Sequence, residues 1–125
     1  MAAGQISATS TDAINGSQLY MAMNATSNLA NSTANNFGGG SVVNPDGSVT
    51  QPKYNVTNAA GTQYGNTATN VGDAITNLNN YVNQGFNIKD NAGETKGTVT
   101  PNESVQFVNG KGTVSNVTQE ADGVK

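Results

Sequence analysis

The sequence predicts a fibrous α+β fold in which short coiled-coil helices alternate with small β segments. Asn, Gly, Ser and Thr account for 59 of the 125 residues, whereas Leu, Ile, Val and Phe account for only 22. A content of these four residues below about one-fifth, together with a high net charge, is typical of disordered chains. This chain meets the first condition, but its net charge of −3 is too small for the second. The apolar residues also form narrow stripes at heptad spacing. The alternatives are therefore disorder, or several copies that pool their stripes into a shared core.

The first helix is predicted from about residue 17 to residue 36. Two heptad registers fit its sequence, and both contain thin or polar layers. One register places Leu19, Ala22, Thr26, Leu29, Thr33 and Asn36 in the seam; the other places Leu19, Met23, Thr26, Ala30, Thr33 and Phe37 there. An isolated helix this polar is marginal, so we expect a coiled coil in preference to an amphipathic helix of a small monomer.

A β segment is predicted between the helices. Three consecutive glycines follow Phe37 and end the first helix. The sequence NPDG at residues 44–47 has the residues of a tight turn and lies between SVV and SVT, which predicts a short hairpin. KYNVT at residues 53–57 alternates like a strand, with Tyr54 and Val56 on one face.

The second helix, predicted over residues 70–84, has the clearest seam. Its apolar residues repeat at spacings of four, three and four, and Asn or Thr occupies most other positions. The predicted coiled-coil core residues of the two helices are Leu19, Leu29, Val71, Ile75, Leu78 and Val82. Ile or Val alternating with Leu leans toward dimers, so the spacing alone does not predict a trimer.

From Gly85 onward the pattern is that of short strands separated by turns. The predicted strands are FNI, GTVT, SVQFV, GTVSNVT and a final GVK that runs to the last residue. The turn DNAGE, from Asp90 to Glu94, places two carboxylates near a glycine. It lacks the ligand spacing of a calcium loop, so we interpret it as a solvated turn.

The residue content excludes most catalytic and cofactor chemistry. The chain has no Cys and no His, so a Ser nucleophile has no imidazole base and thiolate or imidazole metal sites cannot form. Five basic residues are scattered over an acidic chain, which argues against a nucleic-acid partner. We therefore predict no enzymatic activity, no catalytic residue, no metal and no cofactor.

The stretch STDAINGSQLY, residues 10–20, resembles the neck motif of trimeric autotransporter adhesins, usually close to DAVNGSQL. The matching residues are Asp12, Ala13, Ile14, Asn15, Gly16, Ser17, Gln18 and Leu19. In that family three chains leave a β head at the neck and enter a coiled coil, each crossing toward its neighbour's position. We expect strained backbone at Gly16, local backbone bonding by Asn15, and a helix that begins at Gln18 with Ser17 as its cap.

Two further segments resemble the same family, in its usual order. Phe37, Gly38 and Gly39, with DGSVTQPKYNV and NVGDAI behind them, are similar to its Phe-Gly-Gly stalk insertion. GFNI through VQFVNGKGT resembles its head-like domain named for a ring of Trp residues, or the Gly-Ile-Asn sister domain, with Phe86 at the Trp position.

The resemblance implies an intertwined parallel homotrimer whose coiled-coil stalk segments alternate with small β domains. Its parts are the end of a β head with the neck at 1–19, coiled coils at 20–36 and 69–84, the insertion at 37–68, and a truncated head-like domain at 85–125. Phe86 and Phe107 are then the core of the head-like domain or, alternatively, anchors of an adhesive patch. Asn or Thr layers could hold an anion in such a trimer, although plain polar layers fit as well.

The implied function is that of a structural stalk or head segment of a bacterial surface fibre. The implied partners are two further copies of the chain and, through the whole fibre, host extracellular-matrix proteins or abiotic surfaces. A C-terminal barrel outside this segment would anchor the fibre in the outer membrane. Two alternatives remain open: a trimeric phage tail-fibre segment, and a monomeric carbohydrate-binding β domain.

Overall fold

The computed structural model describes residues 1–124; Lys125, the end of the predicted head-like domain and of the predicted strand GVK, lies outside the described residues. The elements in chain order are α1 (Gly16–Phe37), β1 (Tyr54–Thr57), β2 (Gln63–Ala68), α2 (Val71–Asn83), β3 (Phe86–Lys89), β4 (Thr95–Val99), β5 (Gln119–Glu120) and β6 (Gly123–Val124). The chain divides into two compact units, Met1–Leu78 and Asn79–Lys125.

Both helices lie close to their predicted positions. The predicted 17–36 helix extends by one residue at each end in α1, and the predicted 70–84 helix is one residue shorter at each end in α2. At the start of α2 the Asn70 Oδ1 accepts a hydrogen bond of 2.8 Å from the Asp73 N–H, and Asp73 lies in the first turn. An Asn cap and an acidic first turn both satisfy or complement the exposed N–H groups of a helix start.

The segment between the helices contains two small antiparallel pairings. The predicted hairpin around residues 44–47 is present as an isolated bridge between Val43 and Val49, and the predicted strand at 53–57 is β1. The partner of β1 is β2, which the sequence analysis did not predict. β2 reads Gln-Tyr-Gly-Asn-Thr-Ala and lacks the alternation of apolar residues that indicates a strand.

In the second unit only part of the predicted β structure forms. β3 pairs with β4, and β5 pairs with β6. The prediction of strands at SVQFV (residues 104–108) and GTVSNVT (112–118) is wrong for the single chain, where residues 104–118 have no strand. An extended segment becomes a strand only when its backbone groups find a partner, and no described segment of this chain pairs with these two.

The described part of the chain has almost no core. Among residues 1–124 the only buried side chains are three alanines and one proline: Ala30, Ala34, Pro52 and Ala68. All four belong to the first unit. The second unit buries no described side chain, so hydrogen-bonded turns and hairpins hold its local structure together.

Candidate functional site: the start of the first helix and the exposed apolar stripes

Gln18 connects the start of α1 to the N-terminal segment. Its side-chain Oε1 accepts hydrogen bonds from the Asn15 N–H at 3.1 Å and from the Gly4 N–H at 2.9 Å. Its Nε2 donates to the Gly4 carbonyl at 2.6 Å. The amide therefore pairs with both backbone groups of Gly4, as a neighbouring strand would, while it also completes the helix cap.

Asn15 is the N-cap residue of α1. Its backbone is extended, with φ −83° and ψ 165°, and its Oδ1 accepts a hydrogen bond of 3.1 Å from the Gln18 N–H. Together with the reciprocal bond that the Asn15 N–H donates to the Gln18 side chain, this arrangement is a capping box, in which two N–H groups at the helix start are satisfied.

The expectation that Ser17 caps a helix beginning at Gln18 is wrong. The Ser17 hydroxyl instead donates to the Asn15 Oδ1 at 2.8 Å, and the helix begins at Gly16. The expectation of strained backbone at Gly16 is also wrong, because Gly16 is helical and is not among the described glycines with positive φ. Asn15 is the cap because its short side chain places Oδ1 within hydrogen-bond distance of the Gln18 N–H.

A second contact fixes the N-terminal segment beside the motif. The Asp12 Oδ2 accepts a hydrogen bond of 2.8 Å from the Gln5 N–H, next to the Gly4 pairing. A Cβ on Gly4 would collide with the carbonyl oxygen of Ala13, so only Gly permits this close approach. The motif thus holds the preceding segment beside the helix start.

The residues of the Phe-Gly-Gly stretch bring the two ends of the β segment together. Phe37 is the last residue of α1, and its carbonyl accepts a hydrogen bond from the Tyr54 hydroxyl. Gly38 and Gly39 have φ of 58° and 56°, a region that disfavours other residues, and the Gly39 carbonyl accepts from the Lys53 N–H at 2.8 Å. As a result Phe37 and Val71, at the end of one helix and the start of the next, line the same groove.

The apolar stripe of α2 is only partly covered within the chain. The half-buried positions of α2 are Ala74, Asn77 and Tyr81, and the Asn77 amide donates to the Asn66 carbonyl of β2 at 2.9 Å. The stripe residues lie beside that face and are exposed: Val71, Ile75, Leu78 and Val82. Ile75, with 63% of its surface accessible, is the most exposed of the four.

The two candidate head-domain residues are not brought together. Phe86 pairs across the β3–β4 hairpin with Val99, whereas Phe107 shares a surface depression with Val117 and Val124. Both rings are more than half exposed. Their assignment to a core therefore stays a prediction about an assembly of several chains.

The predicted turn from Asp90 to Glu94 closes the β3–β4 hairpin. The Asp90 Oδ1 accepts hydrogen bonds of 2.9 Å from the N–H groups of Ala92 and Glu94. The Lys96 ammonium lies 3.1 Å from Asp90 and 2.7 Å from Glu94. The Glu94 N–H, and then Lys96, lower the pKa of the Asp90 carboxyl below its ordinary 3.8. The hydrogen bonds that the Lys96 ammonium donates to Glu94 and then to Asp90 raise the pKa of Lys96.

We expect the β3–β4 hairpin to weaken in acid as Asp90 is protonated. A carboxyl whose pKa is lower in the folded state stabilises that state above its ordinary pKa, and the contribution is lost as the pH falls through the folded value. An NMR titration of the Asp90 carboxyl should give a midpoint below 3.8. In the Lys96→Gln variant the midpoint should rise only part of the way to 3.8, because the Glu94 N–H bond remains. A wild-type midpoint at or above 3.8 would contradict this account.

Three features of the site were not predicted from the sequence: strand β2, the pairing of Gln18 with Gly4, and the Asn77–Asn66 contact. Glutamine three residues after a potential Asn cap was a usable signal for the capping box. No signal for the pairing with Gly4 exists in the local pattern, because it joins residues fourteen positions apart.

Within residues 1–124 no helix has the length and apolar character needed to cross a membrane. Residues 1–42 match the family model described as the coiled stalk of trimeric autotransporter adhesin. A comparison with curated proteins found no match. The matched residues contain the capping box, all of α1 and the three glycines after it. The match covers 42 of the 125 residues and supports a trimeric autotransporter adhesin stalk in this N-terminal part of the chain.

Proposed function

We propose that the chain is one strand of a homotrimeric stalk segment in a bacterial surface fibre. The single observation that carries this proposal is the contrast between well-formed helices and a missing core. α1 has 22 residues and α2 has 13, yet the described chain buries only small side chains. Helices this polar gain most of their stability from tertiary packing, and the single chain supplies little of it, so we infer that further copies stabilise them.

The exposed stripes provide the surface for that packing. Each Val, Leu or Ile side chain contributes about 1.5–3 kcal/mol when it is fully buried. Four such residues on α2 are about half exposed in one chain, and they lie beside the face that packs on the chain itself. Three copies of the stripe facing one axis would bury them together.

The exposure pattern also favours one register for α1. Ala30 is buried within the chain, so the register that places it in the shared seam would use a position already covered. Leu29, which defines the other register, is 69% exposed. We infer that Leu19, Ala22, Thr26 and Leu29 face the partner helices.

The role that follows is mechanical. The stalk would hold adhesive domains away from the outer membrane, with anchorage through a barrel elsewhere in the full-length protein, and host matrix proteins or abiotic surfaces as the fibre's partners. We propose no enzymatic activity and no cofactor, because the sequence offers neither imidazole nor thiol. The head-like domain at 85–125 and its Phe86 and Phe107 core belong to the same proposal.

The mass of the folded particle in solution tests this proposal. We expect sedimentation equilibrium to give three times the 12.7 kDa of one chain. If the short seams leave the excised segment unfolded, fusion in register to a trimeric coiled coil should restore its helical circular dichroism, because the fusion supplies the nucleus. A folded spectrum at the mass of a single chain would contradict the trimer.

A further inference from the structure

Asn109 and Gly110 form an exposed Asn-Gly pair outside any helix or strand. The Asn109 Oδ1 accepts a hydrogen bond of 2.8 Å from the Ser115 N–H. The Gly110 N–H donates to the Thr113 hydroxyl at 3.1 Å, and the Thr113 N–H returns to the Gly110 carbonyl at 3.2 Å. A short turn therefore contacts both the side-chain carbonyl of Asn109 and the backbone nitrogen that follows it.

These two contacts act on the two atoms that react when asparagine loses its amide. In that reaction the backbone nitrogen of the next residue attacks the asparagine Cγ. A hydrogen bond to Oδ1 draws electrons from Cγ and stabilises the negative charge that develops on the oxygen during the attack. The Thr113 hydroxyl accepts a hydrogen bond from the attacking N–H, which orients and polarises that bond while water removes the proton. Because Gly110 has no side chain, its nitrogen is also sterically open.

We propose that Asn109–Gly110 is a site of spontaneous deamidation, promoted by Thr113 and Ser115. A bond forms between the Gly110 nitrogen and the Asn109 Cγ, the Cγ–NH2 bond breaks, and ammonia leaves with the proton from Gly110. Water then opens the resulting succinimide at either carbonyl, which gives aspartate or isoaspartate. Water is the only co-reactant that these steps need. Asparagine is among the thermolabile residues of proteins.

The second Asn-Gly pair of the chain, Asn15–Gly16, is a built-in comparison. Asn15 is half-buried, and its side chain is held by the capping box at the start of α1. Closing a succinimide there would turn the Asn15 backbone away from its cap geometry and break the bonds with Gln18. The Asn15 pair is thus part of a helix cap, whereas the Asn109 pair is exposed and lies outside any helix or strand.

Deamidation at Asn109 would change the surface of the second unit. It adds one negative charge to a chain whose formal net charge is −3. The isoaspartate product also inserts an extra methylene into the backbone at the start of the turn that joins residues 104–108 to 113–118. This modification would accumulate with the age of the protein and mark old molecules at this turn.

Peptide mapping of the whole chain tests the proposal. The protein is incubated in mildly alkaline buffer at physiological temperature and then digested with trypsin, which separates Asn109 (peptide Gly97–Lys111) from Asn15 (peptide Met1–Lys53). We expect the first peptide to gain the mass of an NH2-to-OH exchange at Asn109 and to split into two products. Asn15 should remain intact in the folded chain, while both sites convert at similar rates in urea.

Variants of Thr113 test the role of the turn. Thr113→Val keeps the shape and removes the hydroxyl, so deamidation of the folded chain should slow several-fold, whereas Thr113→Ser should retain the wild-type rate. In urea all three proteins should react alike, which controls for a change in the intrinsic chemistry. The proposal is overturned if Asn109 reacts more slowly in the folded chain than in urea, if Asn15 keeps pace with it, or if Thr113→Val leaves the folded rate unchanged.

Discussion

The Ile75→Asp substitution is expected to abolish assembly of the chain. Ile75 is at the centre of the exposed stripe of α2, so in the proposed trimer three carboxylates would meet at one level of the axis. A buried charge without a partner costs on the order of 3–5 kcal/mol, and the mutual repulsion of like charges adds to that cost. Sedimentation should then give the mass of a single chain, with loss of the helical circular dichroism signal.

The matched control is Asn80→Asp, which adds the same charge to the same helix. Asn80 is exposed and belongs neither to the stripe nor to the half-buried face with Ala74 and Asn77. We expect this variant to assemble with a melting temperature close to that of the wild type, because surface substitutions usually change stability little. If both variants lose assembly to the same extent, the stripe is not the interface.

The two helices could be predicted from the sequence because their signals are local. The stripe of α2 repeats every three or four residues, and the three glycines after Phe37 set the end of α1 within a residue of its observed position. Helix starts depend on which side chain reaches which N–H, and Ser17 and Asn15 are both good cap residues. The sequence alone did not resolve that choice, and the capping box with Gln18 decides for Asn15.

The β parts were predicted less well because a strand depends on a partner outside its own segment. β2 has no apolar alternation, and it forms because β1 and the Asn77 side chain supply hydrogen bonds to it. Residues 104–118 show the opposite case: their Val and Phe residues between turn sequences indicate strands, but no described segment of the chain provides a ladder. Alternation indicates which faces could be buried, and a partner strand is still needed to bury them.

Gln18→Ala is the second substitution for which we expect a large effect. It removes the hydrogen bond that completes the capping box and both bonds to Gly4. Each bond contributes about 0.5–1.5 kcal/mol, and the loss leaves partly buried backbone groups without a partner. The first turn of α1 should fray and Gly4 should lose its attachment to the helix start, while the contact of Gln5 with Asp12 remains. Hydrogen exchange at the amides of Gly4 and Asn15 should therefore speed up strongly.

Three companion variants separate the functions of this side chain from those of its neighbours. Gln18→Glu keeps an acceptor for the N–H groups of Asn15 and Gly4 but loses the donor to the Gly4 carbonyl, so exchange should be intermediate. Ser17→Ala removes only the bond to the Asn15 side chain and should be mild, whereas Asn15→Ala should cost about 0.5–2 kcal/mol as a lost cap. If Ser17→Ala proved as damaging as Gln18→Ala, the helix would be capped by Ser17 after all. The pairing of Gln18 with Gly4 would then not hold the N-terminal segment.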